Sequence, residues 1–262
     1  MKKPDISIII PCYNDGTFIE DAVRIIFEYT GKLQLEVIII NDGSTDKRTI
    51  DIIADLQNKY PLIIINQENK KMSAARNAGI RAASAPLFIP LDADDILNVE
   101  FIDKAFELIS KDVKTGVVYG NCEYFGEKSG IELKHFNEYS QLYLNGINIT
   151  TLVRKAVWEQ CGGFDEKMIE GYEDWEFWVH AMKQNWKFEK VDIAAFKYRI
   201  KKQSTNVDAI NKHQQLLSYI QTKHLDFFNK NYINLNRELH EVKNNRKKLI
   251  HYLIRNLLGK AN

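Results

Sequence analysis

The sequence predicts an α/β protein with a doubly wound, mostly parallel sheet, flanking helices and a C-terminal helical extension. Three observations predict this fold class. Five short runs in the first 120 residues are apolar at nearly every position, segments with helical spacing separate them, and polar, mostly acidic residues follow four of the runs. Strands covered on both faces have this composition, and repeated βα units wind a parallel sheet with right-handed crossovers.

The elements follow in order along the chain. Strands are predicted at residues 6–10, 36–40, 62–65, 87–90 and 116–119, with helices at 18–29, 50–57, 72–83 and 101–109 between them. After residue 120 the pattern becomes irregular and aromatic, with a helix predicted at 174–184 and strands at 188–191 and 194–198. From residue 207 the chain is predicted to be helical almost to its end, which places a domain boundary between residues 206 and 207.

The amino-acid composition is typical of a soluble globular protein. The 262 residues are 45% apolar and 27% charged, as in soluble globular chains, and no run approaches the ~18 apolar residues of a membrane-spanning helix. The first residues show no signal-peptide pattern, and three widely spaced cysteines suit a reducing compartment as buried small side chains. We therefore expect a cytoplasmic protein, and the net charge of +1 gives no reason to expect nucleic-acid binding.

Two carboxylates, Asp92 and Asp94, follow the predicted strand at 87–90. Their spacing lets both converge on one hard cation, and oxygen ligands suit Mg²⁺ or Mn²⁺. Such an ion would neutralise the charge of a departing pyrophosphate. The alternative is a solvated turn that caps the helix beginning near Asn98.

Three further candidates lie after other strands or on the following helix. Asp42 could accept a hydrogen bond from a nucleobase, Tyr13 could stack on a base, and Arg76 could hold a phosphate or order the acidic loops. Their alternatives are an Asp-Gly turn, a half-buried aromatic and a surface arginine. Asp46 could simply cap the next helix. Residues that follow the strands of an open α/β sheet line its ligand crevice, which favours a site.

Six motifs occur in an order and spacing that resemble the family 2 glycosyltransferases with the GT-A fold. They are Pro11-Cys12-Tyr13-Asn14, Asn41-Asp42-Gly43-Ser44-Thr45-Asp46, Ala75-Arg76-Asn77-Ala78-Gly79, Asp92-Ala93-Asp94-Asp95, Gly162-Gly163-Phe164-Asp165 and Glu173-Asp174-Trp175. The resemblance covers residues from about 5 to 206. It implies a nucleotide-sugar-binding half at 1–120 and an acceptor half at 121–206.

The resemblance also implies an activity and residue roles. The activity is inverting transfer of a sugar from a nucleotide-sugar, most often UDP-linked, to an acceptor hydroxyl. Pro11, Tyr13 and Asp42 would frame the uridine with Arg76 nearby, Asp92 would contact ribose or metal, Asp94 would ligate Mn²⁺ or Mg²⁺, and Asp174 would be the general base.

The residues around Asp174 leave alternatives open. Glu173 is its rival as the base, and the start of a helix favours an ionised carboxylate. Trp175 is the best candidate to stack on a sugar ring, although the aromatic residues of this segment also fit a helix core.

One position departs from the family pattern. Many members carry Tyr-Arg-x-His before a Ser-rich segment, and that His lies near the diphosphate and metal. Here Lys201 stands at the His position. A protonated lysine cannot ligate a metal but can bind phosphate as a point charge, so Lys201 or Lys202 is a candidate diphosphate contact.

Other function classes and partners remain open at this stage. A sugar-1-phosphate nucleotidyltransferase also uses carboxylate-bound Mg²⁺, but it would need a Gly- and Arg-rich loop after the first strand. A non-catalytic nucleotide-sugar-binding protein is the other alternative. Residues 230–262 carry eight Lys or Arg and two Glu, a net charge of +6. Their apolar positions from Leu249 to Leu258 recur at helical spacing, which predicts either a packing or homodimer helix or peripheral contact at the inner face of a membrane.

Overall fold

The computed structural model describes residues 3–201 and 211–244. The chain divides into two compact units, Met1–Leu216 and Leu217–Asn262. The boundary predicted between residues 206 and 207 lies outside the described ranges. Lys202 and the amphipathic pattern of residues 249–258 lie outside them too, so the C-terminal predictions stay predictions.

Nine strands and eight α-helices occupy the described ranges. The strands are β1 (Ile6–Cys12), β2 (Leu35–Asp42), β3 (Ile63–Gln67), β4 (Leu87–Pro90), β5 (Ile96–Leu97), β6 (Thr115–Gly126), β7 (Gly130–Glu132), β8 (Leu152–Arg154) and β9 (Lys187–Ile200). The helices are α1 (Gly16–Phe27), α2 (Lys47–Lys59), α3 (Lys71–Ala82), α4 (Val99–Lys111), α5 (Lys155–Cys161), α6 (Glu173–Lys183), α7 (His213–Lys223) and α8 (Leu225–Asn244). A short 3₁₀ helix spans Ser140–Leu142.

The strands form one mixed sheet in the order β3-β2-β1-β4-β8-β6-β9-β5, with β7 paired to β6. Strands β1 to β4 are parallel, and so are β6 and β9, whereas β5, β7 and β8 pair antiparallel to their neighbours. The predicted mostly parallel sheet is confirmed. The two strands predicted at 188–191 and 194–198 are one strand, β9, because its pairing with β6 continues across local irregularities.

Helices cover both faces of the sheet, as the doubly wound fold requires. Successive side chains of a strand point to opposite faces, so Ile8 and Ile10 of β1 pack in the cluster that contains α1, α2 and α4, while Ile9 packs with α3, α5 and α6. Burial on both faces explains the unbroken apolar runs in the sequence. The three cysteines are buried and none is part of a disulfide, as their spacing predicted.

The order of the strands places a topological switch point at the carboxyl ends of β1 and β4. Strand β1 lies between β2 and β4, so the chain winds outward to β3 and then returns to the other side of β1. Ligands of open α/β sheets bind at this kind of switch point, beyond the carboxyl ends of the strands. The segments after β1 and β4 begin there.

Helix α3 lies close against the sheet because Gly79 has no side chain. A Cβ at this position would lie 2.6 Å from both Ile9 Cγ2 and Ile40 Cδ1. This close approach of helix and strands carries Arg76, one turn earlier in α3, into the interior.

None of the helices within residues 3–201 and 211–244 combines the length and the apolar character needed to cross a bilayer.

Candidate active site

Two loops at the carboxyl ends of β1 and β2 are joined through Asn14. Its side-chain oxygen accepts hydrogen bonds from the backbone N–H groups of Thr45 and Asp46, each at 2.9 Å. Its backbone has a φ of 56°, a left-handed conformation that Asn tolerates better than most residues. Asp46 caps α2, accepting from the Thr49 N–H at 3.0 Å, which is the structural role that the sequence left open for it. The local sequence around Asn14 does not indicate this bridging role, because the groups that Asn14 binds lie 31 and 32 residues further along the chain.

The predicted nucleobase residues lie at this edge of the sheet. Tyr13 is 46% exposed, so its ring is open to a ligand, whereas Pro11 is buried at the end of β1. Asp42 is only 4% exposed. Its carboxylate accepts from Gln67 Nε2 at 2.7 Å and from the backbone N–H groups of Lys70 and Lys71 at 2.9 and 3.0 Å.

Asp42 therefore orders the loop that leads from β3 into α3. A carboxylate has about four acceptor positions, and three of these are used by the protein. Gly43 follows Asp42 with a φ of 73°, and a Cβ there would lie 2.6 Å from the backbone N of Asn69. The Asp-Gly pair thus combines a left-handed turn with a close approach between two loops.

Arg76 joins the donor-side carboxylates to α6. It is 2% exposed, and its guanidinium donates to Asp92 Oδ1 at 2.7 Å and to Glu173 Oε1 at 2.6 Å. Burial alone would lower the pKa of Arg76, but Asp92 and Glu173 outweigh it and raise that pKa above its ordinary value. Arg76 thus orders the acidic loops, one of the roles that the sequence suggested, and it is not a surface arginine.

Asp94, which follows β4, forms an ion pair with Lys201, which follows β9. Lys201 Nζ lies 2.8 Å from Asp94 Oδ2 and 3.1 Å from Asp15 Oδ1. Burial and the charge of Asp92 raise the pKa of Asp94, while Lys201 lowers it. Burial lowers the pKa of Lys201, but its pairs with Asp94 and Asp15 raise it overall. Sequence reasoning missed Asp15, although it follows the Pro-Cys-Tyr-Asn motif directly.

The end of β9 is fastened to the Asp92–Asp95 segment. The Arg199 N–H donates to Asp95 Oδ1 at 2.9 Å, and Arg199 Nε donates to the Asp94 carbonyl at 2.9 Å. Asp95 is buried, and its Oδ2 has no hydrogen-bond partner among the described residues. Burial and the charges of Asp92 and Asp94 raise the pKa of Asp95 well above its ordinary value. Asp95 and Arg199 were not predicted as site residues.

A divalent cation fits this cluster by its chemistry. Hard cations take oxygen ligands, and Mg²⁺ commonly uses one or two carboxylates together with substrate phosphates. Asp92 and Asp94 each commit one oxygen to a cationic side chain and keep a second. Burial, followed by the charges of neighbouring carboxylates, raises the pKa values of Asp94 and Asp95, and a bound cation would favour their ionised forms. Lys201 cannot serve as a third ligand while it is protonated.

Asp174 lies at the start of α6 next to the pair of Glu173 and Arg76. Asp174 Oδ2 accepts from Asn145 Nδ2 at 3.0 Å, and its Oδ1 accepts from the Trp175 N–H at 2.7 Å. Burial, followed by the charge of Glu173, raises the pKa of Asp174 to about 7. The helix N-terminus was expected to favour the ionised form, but burial and Glu173 outweigh it. Asp174 can therefore accept a proton near neutral pH.

The placement of Trp175 corrects one expectation. The side chain is 2% exposed, its indole N–H donates to the Gln141 carbonyl at 2.6 Å, and its ring is stacked near His213 with centroids 6.1 Å apart. A sugar platform needs an open ring face, and a buried tryptophan does not provide one. The burial favours the core interpretation that the sequence left open. The fixed indole instead holds the first turn of α6, and with it Asp174.

Comparison with known proteins identifies the family. The family model described as glycosyl transferase family 2 matches residues 7–172. Fold, crevice and carboxylates agree with this class of enzyme, and the chain belongs to glycosyl transferase family 2.

Two relatives illustrate the range of the match. An uncharacterized glycosyltransferase of Methanocaldococcus jannaschii is 26% identical over 236 residues, which cover 85% of this chain and 80% of that protein. The poly-β-1,6-N-acetyl-D-glucosamine synthase of Staphylococcus aureus is 31% identical over 192 residues, 64% of this chain and 46% of the synthase. The chain thus spans less than half the length of the synthase.

Solved structures share the GT-A fold. Staphylococcus aureus TarS 1–349 in complex with UDP-GlcNAc has a TM-score of 0.65 and 20% identity, covering 78% of this chain and 61% of that one. The mannosyltransferase PcManGT from Pyrobaculum calidifontis, in complex with GDP-Man and Mn²⁺, has a TM-score of 0.63 and 18% identity, covering 82% and 63%. The fold predicted from the sequence is therefore confirmed.

Proposed function

We propose that this protein is an inverting glycosyltransferase that moves a sugar from a UDP-sugar to a hydroxyl group of a glycan or lipid-linked acceptor. Membership of glycosyl transferase family 2 supports the reaction class. The TarS complex with UDP-GlcNAc supports a uridine nucleotide, although the PcManGT complex contains GDP-Man. The Staphylococcus aureus relative is named for polysaccharide synthesis, which supports a role in polysaccharide or glycoconjugate assembly.

One observation carries the proposal. Arg76 bridges Asp92, on the donor side, and Glu173, the neighbour of Asp174. This buried bridge holds the groups that would bind a diphosphate close to the group that would accept a proton. An inverting displacement needs both, because the base acts on the face opposite the leaving diphosphate.

Asp174 is the proposed base, and Glu173 is not. Glu173 Oε1 is bound to the buried guanidinium of Arg76 at 2.6 Å, so this oxygen is already occupied. Asp174 has a pKa of about 7, so it is partly ionised at neutral pH and basic enough to accept the proton of an acceptor hydroxyl.

The residues proposed to bind the nucleotide-sugar contact different parts of it. Tyr13 would offer its exposed ring to the base, the buried Pro11 would line the same site, and the remaining acceptor position of Asp42 suits a nucleobase N–H. Asp92 and Asp94 would hold Mn²⁺ or Mg²⁺, which when bound neutralises charge on the departing diphosphate. Lys201 supplies a positive charge to the same phosphates.

The exchange of Asp174 for Asn tests the proposal. Asp174→Asn keeps the size of the side chain and removes the base, so we expect UDP-sugar binding to persist while transfer to acceptor falls by about 100-fold or more. Thermal shifts with a panel of nucleotide-sugars and Mn²⁺ identify the donor first, because a ligand that binds only the folded state raises the melting temperature. Release of UDP then measures turnover.

Glu170→Gln is the matched control, since Glu170 is paired with Lys212 and lies just before α6. It should transfer like the unaltered protein. Near-normal transfer by Asp174→Asn would move the role of the base to another residue. A binding protein without activity would instead show a thermal shift with the donor and no transfer in any variant.

A further inference from the structure

Lys201 is paired with Asp94, one of the two carboxylates that would bind a divalent cation. Its ammonium group lies 2.8 Å from Asp94 Oδ2 and 3.1 Å from Asp15 Oδ1, and it also lies 4.8 Å from the centre of the Phe18 ring. These contacts hold the lysine on three sides at the site where the diphosphate is proposed to bind. A lysine that merely extends into solvent would have none of them.

The position of Lys201 is built into the fold. Two residues earlier, Arg199 lies between the rings of Phe18 and Phe125, with its guanidinium carbon 4.5 and 4.3 Å from their centres. The Arg199 backbone and side chain are also hydrogen-bonded to the Asp94–Asp95 segment. The end of β9 therefore fixes the point from which the Lys201 side chain reaches Asp94.

Formal charges show what this ion pair does to the affinity for ligands. Asp15, Asp94 and Lys201 together carry one net negative charge, and Asp92, Glu173 and Arg76 together carry another. A nucleotide-sugar diphosphate adds two negative charges and is repelled without a further cation. A divalent ion alone must compete with the ammonium for Asp94. When the divalent ion and the diphosphate bind together, the two positive charges of the ion cancel the two negative charges of the diphosphate. The ammonium group of Lys201 can then contact the phosphates.

We propose that Lys201 is a resident cation that keeps divalent metal weakly bound at Asp94 until a nucleoside diphosphate arrives and draws the ammonium to its phosphates. The metal and the nucleotide then bind interdependently, each raising the affinity for the other. The inference rests on the proposed donor site. It adds a reason for a lysine at the position where many members of the family carry a histidine.

Titration of Mn²⁺ into the nucleotide-free full chain tests the competition directly. Free Mn²⁺ is followed by electron paramagnetic resonance, without any activity measurement. We expect weak binding by the unaltered protein and binding at least about tenfold tighter by Lys201→Met, since a difference of 1.4 kcal/mol is tenfold in affinity. Lys201→Gln serves as a second neutral variant if Lys201→Met does not fold. UDP in excess should tighten Mn²⁺ binding strongly in the unaltered protein and much less in either variant.

Two controls separate competition from a general change of charge. Lys197→Met removes a lysine from the same strand, paired with Glu123 at 3.2 Å, and should leave Mn²⁺ affinity unchanged. Lys201→Arg keeps the positive charge and should bind Mn²⁺ as weakly as the unaltered protein. Asp94→Asn, added to Lys201→Met, should remove the gain.

Equal nucleotide-free affinities of the unaltered protein, Lys201→Met and Lys201→Gln would overturn the inference, and so would a gain that survives Asp94→Asn. These results are independent of the proposed activity. If the protein bound no nucleotide-sugar and transferred no sugar, the proposed function would fail while the nucleotide-free titration still measured competition at Asp94.

Discussion

Arg76 shows how one buried residue can determine the chemistry of its neighbours. A guanidinium in the interior is stabilised only if carboxylates satisfy it, and Asp92 and Glu173 do so at 2.7 and 2.6 Å. Burial, followed by the charge of the adjacent Glu173, raises the pKa of Asp174 to about 7, whereas Arg76 lowers it. Two acidic residues that are neighbours in the sequence thereby have different hydrogen-bond partners.

This arrangement predicts that Glu173→Gln shifts the pH dependence of activity. Removing the negative charge makes ionisation of Asp174 easier, so the pKa of Asp174 falls below about 7. The positive charge of Arg76, which loses an anionic partner in this variant, also lowers the pKa of Asp174. If Asp174 is the base, activity is lost as pH falls through its pKa, and the acid limb of kcat/KM against pH should move to lower pH in the variant.

The measurement is the full pH profile of both proteins with the same donor and acceptor. Glu170→Gln should keep the limb of the unaltered protein. An acid limb that stays in place in Glu173→Gln would mean that a group other than Asp174 controls it.

At the level of elements, the site depends on loops that hold one another. Asn14 ties the loop after β1 to the loop after β2, and Asp42 ties the end of β2 to the start of α3. These loops are thus held together by side chains that accept hydrogen bonds from backbone groups. This explains why a buried Asp42 can matter to the site even where its oxygens contact the protein itself.

Gly43→Ala should disturb this network. A left-handed backbone disfavours alanine by about 1–2 kcal/mol, and the added Cβ would lie 2.6 Å from the Asn69 backbone. We expect the free energy of unfolding in urea to fall by at least about 1 kcal/mol and UDP affinity to fall as the loops separate. Arg48→Ala, at an exposed position of α2, should change the free energy by less than about 0.5 kcal/mol. Unchanged stability and binding in Gly43→Ala would show that the loops accommodate the methyl group.

The sequence predicted what local patterns encode. Apolar runs and their spacing predicted β1 to β4 and the helices between them, and the positions just after the strands predicted the crevice with Asp92 and Asp94. Strand β8 is only three residues long, and its place between β4 and β6 depends on pairing between distant segments.

Long-range contacts also explain the site residues that sequence reasoning missed or misjudged. Asp15 gains its role only because Lys201 reaches it from the end of β9, and Trp175 is buried because Gln141 and His213 pack around it. The spacing of residues along the chain does not predict these long-range contacts. The departure from the family pattern at Lys201 was the one sequence signal that pointed to such a contact.

At the level of the whole molecule, charge is unevenly distributed along the chain. Residues 230–262 carry a net charge of +6, which leaves −5 for residues 1–229 because the total is +1. A basic segment with apolar residues at helical spacing is attracted to anionic lipid, and each basic group near such a surface contributes about 1 kcal/mol. A lipid-linked acceptor would be found at the same surface.

The sequence of the C-terminal segment predicts that it binds anionic lipid. The full chain should sediment with vesicles that contain anionic lipid at low salt and be released at high salt, because screening weakens the attraction. A chain that ends at Lys243 lacks Arg246, Lys247, Lys248, Arg255 and Lys260, and it should stay in the supernatant. A full-length variant with Gln at Arg246, Lys247 and Lys248 should bind less while keeping every apolar residue.

Vesicles of neutral lipid are the control for both proteins. If the full and shortened chains sediment alike, or if shortening the chain dissociates an oligomer, the apolar residues from Leu249 to Leu258 form a packing or dimer helix instead, since such a helix needs no anionic lipid.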